Sequence, residues 1–189
     1  QGIIKGLAIP LPPLPEQRRI AAILDQADAL RAKRREALAQ LDSLTQSIFI
    51  EMFGDPISNT KGWSTAALGT LVNKLGSGST PTGGDAAYKE SGISLIRSLN
   101  VHDGEFTYKN LAYIDAVQAA KLSNVIVAEG DVLLNITGAS VARVCTVPSD
   151  VLPARVNQHV MIIRPKPELN GLFLERLLLN PQMKIKLLQ

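Results

Sequence analysis

Between Pro15 and Gly54 the chain contains no glycine and no further proline. Ala, Leu, Arg, Gln and Glu dominate the stretch, and all are good helix formers. A heptad frame fits it. The a positions are Ile20, Ala27, Arg34, Leu41 and Ile48, and the d positions are Ile23, Leu30, Ala37, Leu44 and Glu51. Only Arg34 and Glu51 break the apolar line. Sustained a/d spacing points to a coiled-coil seam rather than to the broader stripe of a helix lying on a core. At ~1.5 Å per residue, a helix over 15–53 is on the order of 55–60 Å long, more than a small domain needs for cover. It is expected to protrude and to pair with a second helix through Ile20, Ile23, Ala27, Leu30, Ala37, Leu41, Leu44 and Ile48. The RAKRRE run, Arg31 to Glu36, reads as a solvated face.

The entry to this helix is stiff. PLPPLPEQRRI occupies 10–20, with prolines at 10, 12, 13 and 15. Each proline biases the residue before it away from helical geometry. Pro15 then suits a first helical turn, where its missing N–H costs nothing, and Glu16 in that turn favours the helix dipole. Residues 1–14 are therefore expected to form an extended strip that fixes the angle of departure. At the other end, Gly54 and Asp55-Pro56 form a stop signal.

Beyond residue 57 the pattern changes. Short β-like runs appear at 93–101, 125–127, 131–136, 141–147 and 156–163, separated by turn signals such as His102-Asp103-Gly104 and Glu129-Gly130-Asp131. Arg143 and Thr146 interrupt the fourth run, as a strand with one wet face would require. Asp115 to Leu122 reads as a short helix, and Leu172 to Leu188 as two helices divided at Pro181. The expected fold class is α+β: a long protruding coiled-coil helix attached to a compact, mostly-β domain with short helices.

Several chemistries lack their residues. The net charge is +3, and residues 54–165 carry nine basic and nine acidic side chains, so no basic block exists. One cysteine, Cys145, and two histidines, His102 and His159, make a structural metal site an unsuitable reading. Cys145 lies in an apolar run and reads as a buried thiol. The GSGSTPTGG stretch (76–84) lacks the Gly-Lys-Ser/Thr ending of a phosphate loop, and a flexible surface loop is expected instead. Asn180-Pro181 lacks the aromatic partner with which an adenine methyltransferase grips a flipped base. No catalytic residue, cofactor or metal is assigned. No apolar run is long enough to span a membrane and no charged-then-apolar leader opens the sequence, so a cytoplasmic setting is expected.

IPLPPLPEQRRIAAIL, followed by the long helix, resembles the spacer region of the specificity (S) subunit of type I restriction-modification systems. GWSTAALGTLV, GSGSTP, GISLIRSLN, EGDVLLNITGAS and VNQHVMIIRP are similar, in order, to that family's target recognition domains. The resemblance implies three parts: an extended strip over 1–14 like the tail of a preceding recognition domain, a spacer helix over 15–53, and a DNA target recognition domain over 54–189 ending in short helices. It implies a non-catalytic subunit that reads one half of a bipartite target in double-stranded DNA. Its helices would pair as a ruler, methyltransferase (M) subunits would dock on it, and restriction (R) subunits would join through the complex. Family members carry two recognition domains and two helices. One of each here implies a fragment, or a half-length subunit that forms a homodimer through the helix.

Reading DNA takes donors and acceptors on loops and cations for phosphate. Four clusters offer them: Ser77, Ser79, Thr80 and Thr82 with Lys89; Arg97, Ser98 and Asn100; Thr137, Ser140 and Arg143; and Asn157, Gln158 and His159. The competing reading is a coiled-coil dimeriser whose β domain binds protein instead of DNA.

Overall fold

The computed structural model describes residues 2–81 and 83–189, without the side chains of Ile3 and Asp85. The chain divides into two compact units, Gln1–Met52 and Phe53–Gln189.

In the first unit the strip expected to be extended throughout begins instead with one helical turn, α1 (Gly2–Lys5). No proline precedes Pro10, so the backbone N–H groups there are free to close a turn: Gly6 donates to the Gly2 carbonyl at 3.3 Å. Residues 7–13 carry no regular structure. Helix α2 (Leu14–Phe53) follows. Its entry is closed by the prolines' own carbonyls. The Glu16 and Gln17 N–H groups donate to the Pro13 oxygen at 2.9 and 3.1 Å, and Gln17 Nε2 donates to the Pro12 oxygen at 2.7 Å. Arg19 grips both oxygens of Glu16 one turn away, at 2.9 and 2.6 Å. That guanidinium holds the Glu16 carboxyl below its ordinary range. No residue of α2 is buried. On the seam, Ile20, Ile23, Leu30, Leu41, Leu44 and Ile48 are all exposed, Leu30 by 67%. Leu24 and Leu38, at heptad position e, are exposed too and widen the apolar stripe.

The second unit is built on two four-stranded sheets. Gly54 is buried, with φ of 91°, which suits a glycine ending a helix. Asp55 then caps the following turn by accepting from the Ile57 and Ser58 N–H groups at 2.9 and 2.7 Å. One sheet orders β1 (Val72–Ser77), β10 (Val160–Pro165), β7 (Val132–Asn135) and β8 (Val144–Thr146), all antiparallel. The other orders β5 (Ala112–Ile114), β2 (Ile93–Ile96), β9 (Ala154–Val156) and β6 (Ile126–Val127). In it, only β2 and β9 run parallel. A small hairpin, β3 (Val101–His102) and β4 (Glu105–Phe106), turns through Gly104 at φ 68°.

The first sheet is covered on both faces. Leu133, Cys145 and Ile162 pack with Leu95, Ile96 and Val156 in one core. Val132, Leu134, Val144 and Ile163 pack with Leu174 and Leu178 of α4 (Gly171–Leu179) in another. Hence β7 reads as a continuous apolar run rather than an alternating one. The wet face expected for 141–147 is absent. Arg143 precedes the strand, and Thr146 meets the buried Glu175 of α4, donating its N–H and hydroxyl to Oε2 at 2.5 and 2.6 Å. Helix α3 (Ala116–Ala120) starts at Asp115, whose carboxylate accepts from the Gln118 N–H at 2.8 Å. Helix α5 (Pro181–Leu187) follows α4 as the proline required.

Candidate nucleic-acid interface

Two of the expected strands break, and both breaks build the site. The run 93–101 ends its strand at Ile96, and a 3-10 turn, Ser98–Asn100, leads into the hairpin. The run 156–163 belongs to two different sheets. Residues 157–159 make the crossing between β9 and β10, where Asn157 Oδ1 accepts from the His159 N–H at 3.0 Å. A third loop, 136–143, leaves β7 and returns as β8. It is clamped at its base, where Asn135 donates its N–H to the Arg143 carbonyl and accepts from the Ala142 N–H, both at 2.9 Å.

These loops enclose an open cleft of about 350 Å³ lined by Ser98, Leu99, Thr137, Gly138, Ala139, Ser140, Arg143 and His159. Residues from three of the four sequence clusters meet there. The fourth joins by hydrogen bonds: Thr80 donates to Gln158 Oε1 at 2.5 Å, Gln158 Nε2 lies 3.1 Å from His159 Nε2, and His159 Nδ1 meets the Thr137 hydroxyl. A smaller cleft of about 130 Å³ lies beside Ser79 and Thr80, closed by Pro81, Gln118, Lys121 and Leu122.

The glycine-rich stretch is not a slack connector along its whole length. Gly76 and Ser77 belong to β1. The Gly78 N–H donates to the Asn157 carbonyl at 3.0 Å, and a Cβ on Gly78 would stand 1.8 Å from the Val156 carbonyl oxygen. This close approach seats the loop against the β9–β10 crossing.

Two predicted contact residues have internal duties instead. Asn100 is fully buried: its Oδ1 accepts from the Arg97 N–H at 3.0 Å and its Nδ2 donates to the Thr107 carbonyl at 2.9 Å. Asn157 is buried and shapes the crossing. Both position neighbours rather than face a ligand. Arg97 donates to the Asn110 carbonyl at 2.7 Å and lies 5.0 Å over the Tyr88 ring. Lys89 pairs with Asp115 at 3.6 Å, away from the cleft residues in its bonding. The Gln118 N–H, with Lys89 adding to it, holds the Asp115 carboxyl below its ordinary range. Thr82 lies outside the described residues.

Sequence reasoning missed Asn135. Its side chain is 1% exposed. Nδ2 donates to the Ser98 carbonyl at 2.9 Å and to Ser140 Oγ at 3.1 Å, tying two walls of the cleft together. A polar residue closing the apolar run VLLN was the available signal. Among the described residues, no group of His, Cys, Asp and Glu is placed to hold a metal ion, and no helix is long and apolar enough to cross a membrane.

A family model described as the type I restriction modification DNA specificity domain matches residues 1–40. The type I restriction enzyme EcoBI specificity subunit of Escherichia coli is 27% identical over 215 residues, covering 98% of this chain and 44% of that protein. Two solved structures share the fold. One, described by the structural basis of complex assembly and conformational transition of the type I R-M system, has a TM-score of 0.56 at 24% identity, covering 93% of this chain and 44% of its own. The HsdS subunit from Thermoanaerobacter tengcongensis has a TM-score of 0.53 at 23% identity, covering 95% of this chain and 44% of its own. The chain thus spans under half the length of these relatives. The resemblance of the sequence to type I specificity subunits, with a long helix and a β-rich domain carrying short helices, is matched by these comparisons.

Proposed function

We propose that the chain is a non-catalytic DNA-reading part of a type I restriction-modification complex, acting in the cytoplasm. Residues 54–189 form the target recognition domain and read one half of a bipartite target in double-stranded DNA. Residues 15–53 form the spacer that sets the distance to the other half, and 1–14 the strip through which it is entered. M subunits dock on the assembly and R subunits join through it. Helix α2 pairs lengthwise with a second long helix, that of another copy where this chain stands alone. The exposed e-position leucines, Leu24 and Leu38, favour contact with more than one neighbour.

The observation that carries this reading is the cleft. Loops from four distant stretches of sequence bring hydroxyl, amide, imidazole and guanidinium groups to one edge, the mixture of donors and acceptors that base edges demand. Thr80, Thr137, Ser140, Arg143, Gln158 and His159 are the residues proposed to face DNA, with Ser77, Ser79 and Ser98 beside them, and Thr82 is proposed with them from its place in the sequence alone. Lys89 and Arg97 serve phosphate, or hold the neighbouring loops.

Selection from a pool of random duplexes by the assembled complex tests the function directly. The expected result is enrichment of one split sequence. Replacing Arg143 with Ala should relax it at one position by roughly tenfold. No enrichment above the starting pool would reject the reading in favour of a protein-binding module.

A further inference from the structure

Lys121 stands in none of the four polar clusters of the sequence, yet it lines a cleft together with residues of one of them. The cleft of about 130 Å³ beside Ser79 and Thr80 has Lys121 and Gln118 in its wall. Both sides are held from behind. On one, the Gly78 N–H donates to the Asn157 carbonyl at 3.0 Å. On the other, Leu122 is buried in the inter-sheet core and Gln118 Nε2 donates to the Ala87 carbonyl at 3.1 Å. The space holds about four waters at ~30 Å³ each, enough for a phosphate group and too little for a base.

The chemistry of the lining is one-sided. Among the described residues, the Lys121 ammonium, the Ser79 hydroxyl and the N–H groups of Ser79 and Thr80 have no hydrogen-bond or ion-pair partner, and no acidic residue lines the cleft. The acid at the entry to α3, Asp115, is already met by Lys89 at 3.6 Å. An unopposed cation with hydroxyl and backbone N–H donors beside it is the set that phosphate oxygens take. An ammonium is a point charge, without the fork with which a guanidinium matches a base edge. The larger cleft has that fork in Arg143, among hydroxyl and imidazole groups. The two clefts adjoin, since the Thr80 hydroxyl meets the Gln158 side chain, which lies against His159.

We propose that the smaller cleft is a phosphate seat. Lys121, with Ser79 and the N–H groups of 79–80, holds one backbone phosphate of the duplex beside the bases that the larger cleft reads. The seat supplies affinity and register and no letter of the target. This assignment rests on the DNA-reading function above and divides its two tasks between two places.

The test is the salt dependence of duplex binding by the assembled complex, with the parent, Lys121→Ala and Lys121→Arg. Losing one phosphate contact lowers the slope of log affinity against log salt by about 0.9. Lys121→Ala should therefore bind roughly eightfold more weakly at 0.1 M salt, and the difference should vanish near 1 M. The fall should be equal for every duplex and the selected sequence unchanged. Lys121→Arg, which keeps the charge, should restore the slope. Lys121 is exposed, so both variants should melt with the parent. Duplexes carrying one uncharged methylphosphonate at a time then locate the seat: the parent should be weakened at several steps, and Lys121→Ala should be indifferent at one of them.

A Lys121→Ala slope equal to the parent's overturns the seat and leaves the DNA reading standing. A changed letter in the selected sequence makes Lys121 a base contact and overturns it too. If Lys121→Ala instead fails to assemble with the other subunits, the cleft belongs to a protein partner and the seat is equally overturned. If the parent binds no duplex at any salt, the reading and the seat fall together.

Discussion

Cys145 shows how one buried side chain leaves a mark on the whole folding equilibrium. It faces Leu133 in the inter-sheet core, and burial, with Glu175 nearby, pushes its thiol up to about 12 from an ordinary value near 9. The folded pKa is the raised one, so the unfolded chain ionises first as the pH rises. The thiol's contribution is whole below pH 9 and declines between 9 and 12, with a slope of ~1.4 kcal/mol per pH unit. Denaturant titrations across that window should show the decline in the parent and lose that component in Cys145→Ala. Equal slopes would mean that the thiol is not desolvated. Glu175 is the neighbouring lesson. Its carboxyl group is buried and takes two donors from Thr146, so α4 and β8 are joined by hydrogen bonds as well as by apolar contact. Nothing in the spacing of LERLLL announces that a carboxylate will turn inward.

Elements differ in how far the sequence discloses them. Helix α2 is plain, because 38 residues without glycine or proline after Pro15 leave the backbone little else to do. The two terminal helices are plain for the opposite reason, a single proline dividing them. Strand β1 passes unnoticed: VNKLGS has two apolar residues and ends in glycine and serine, and it is a strand because β10 pairs along its length. The run 156–163 reads as one strand, since only Asn157, Gln158 and His159 interrupt its apolar residues and nothing local marks them as a crossing. Local periodicity cannot say that Val156 and Val160 belong to different sheets. For the same reason the loop clusters were legible as polar groups on turns, whereas the inward duties of Asn100 and Asn157 were not. At the scale of the element the ruler can be tested. One heptad adds about 10 Å of helix, close to three base pairs at ~3.4 Å each. Inserting whole heptads between Arg31 and Ala39 should lengthen the gap in the selected target and leave both half-sites unchanged. Altered half-sites with a constant gap would contradict the spacer role.

At the level of the whole chain, the proposal is that function needs a second long helix. The exposed Ile20, Ile23, Leu30, Leu41, Leu44 and Ile48 make this a question of mass. Light scattering over a concentration series should give a species of twice the 20.3 kDa chain mass, and Leu30→Glu with Leu41→Glu should return it to the single mass while the β domain's melting is unchanged. A single-chain mass for the parent at the highest concentration would sink the homodimer.

The cleft, finally, is bordered by Ser98, Thr137, Arg143 and His159, none of which belongs to the two apolar clusters that hold the sheets. On the DNA-reading function proposed above, stability and reading are thus kept in separate layers of the same small body. A lineage carrying this scaffold can exchange the letters on its rim without repacking its interior. On the proposed function, new targets would then become reachable by a handful of substitutions.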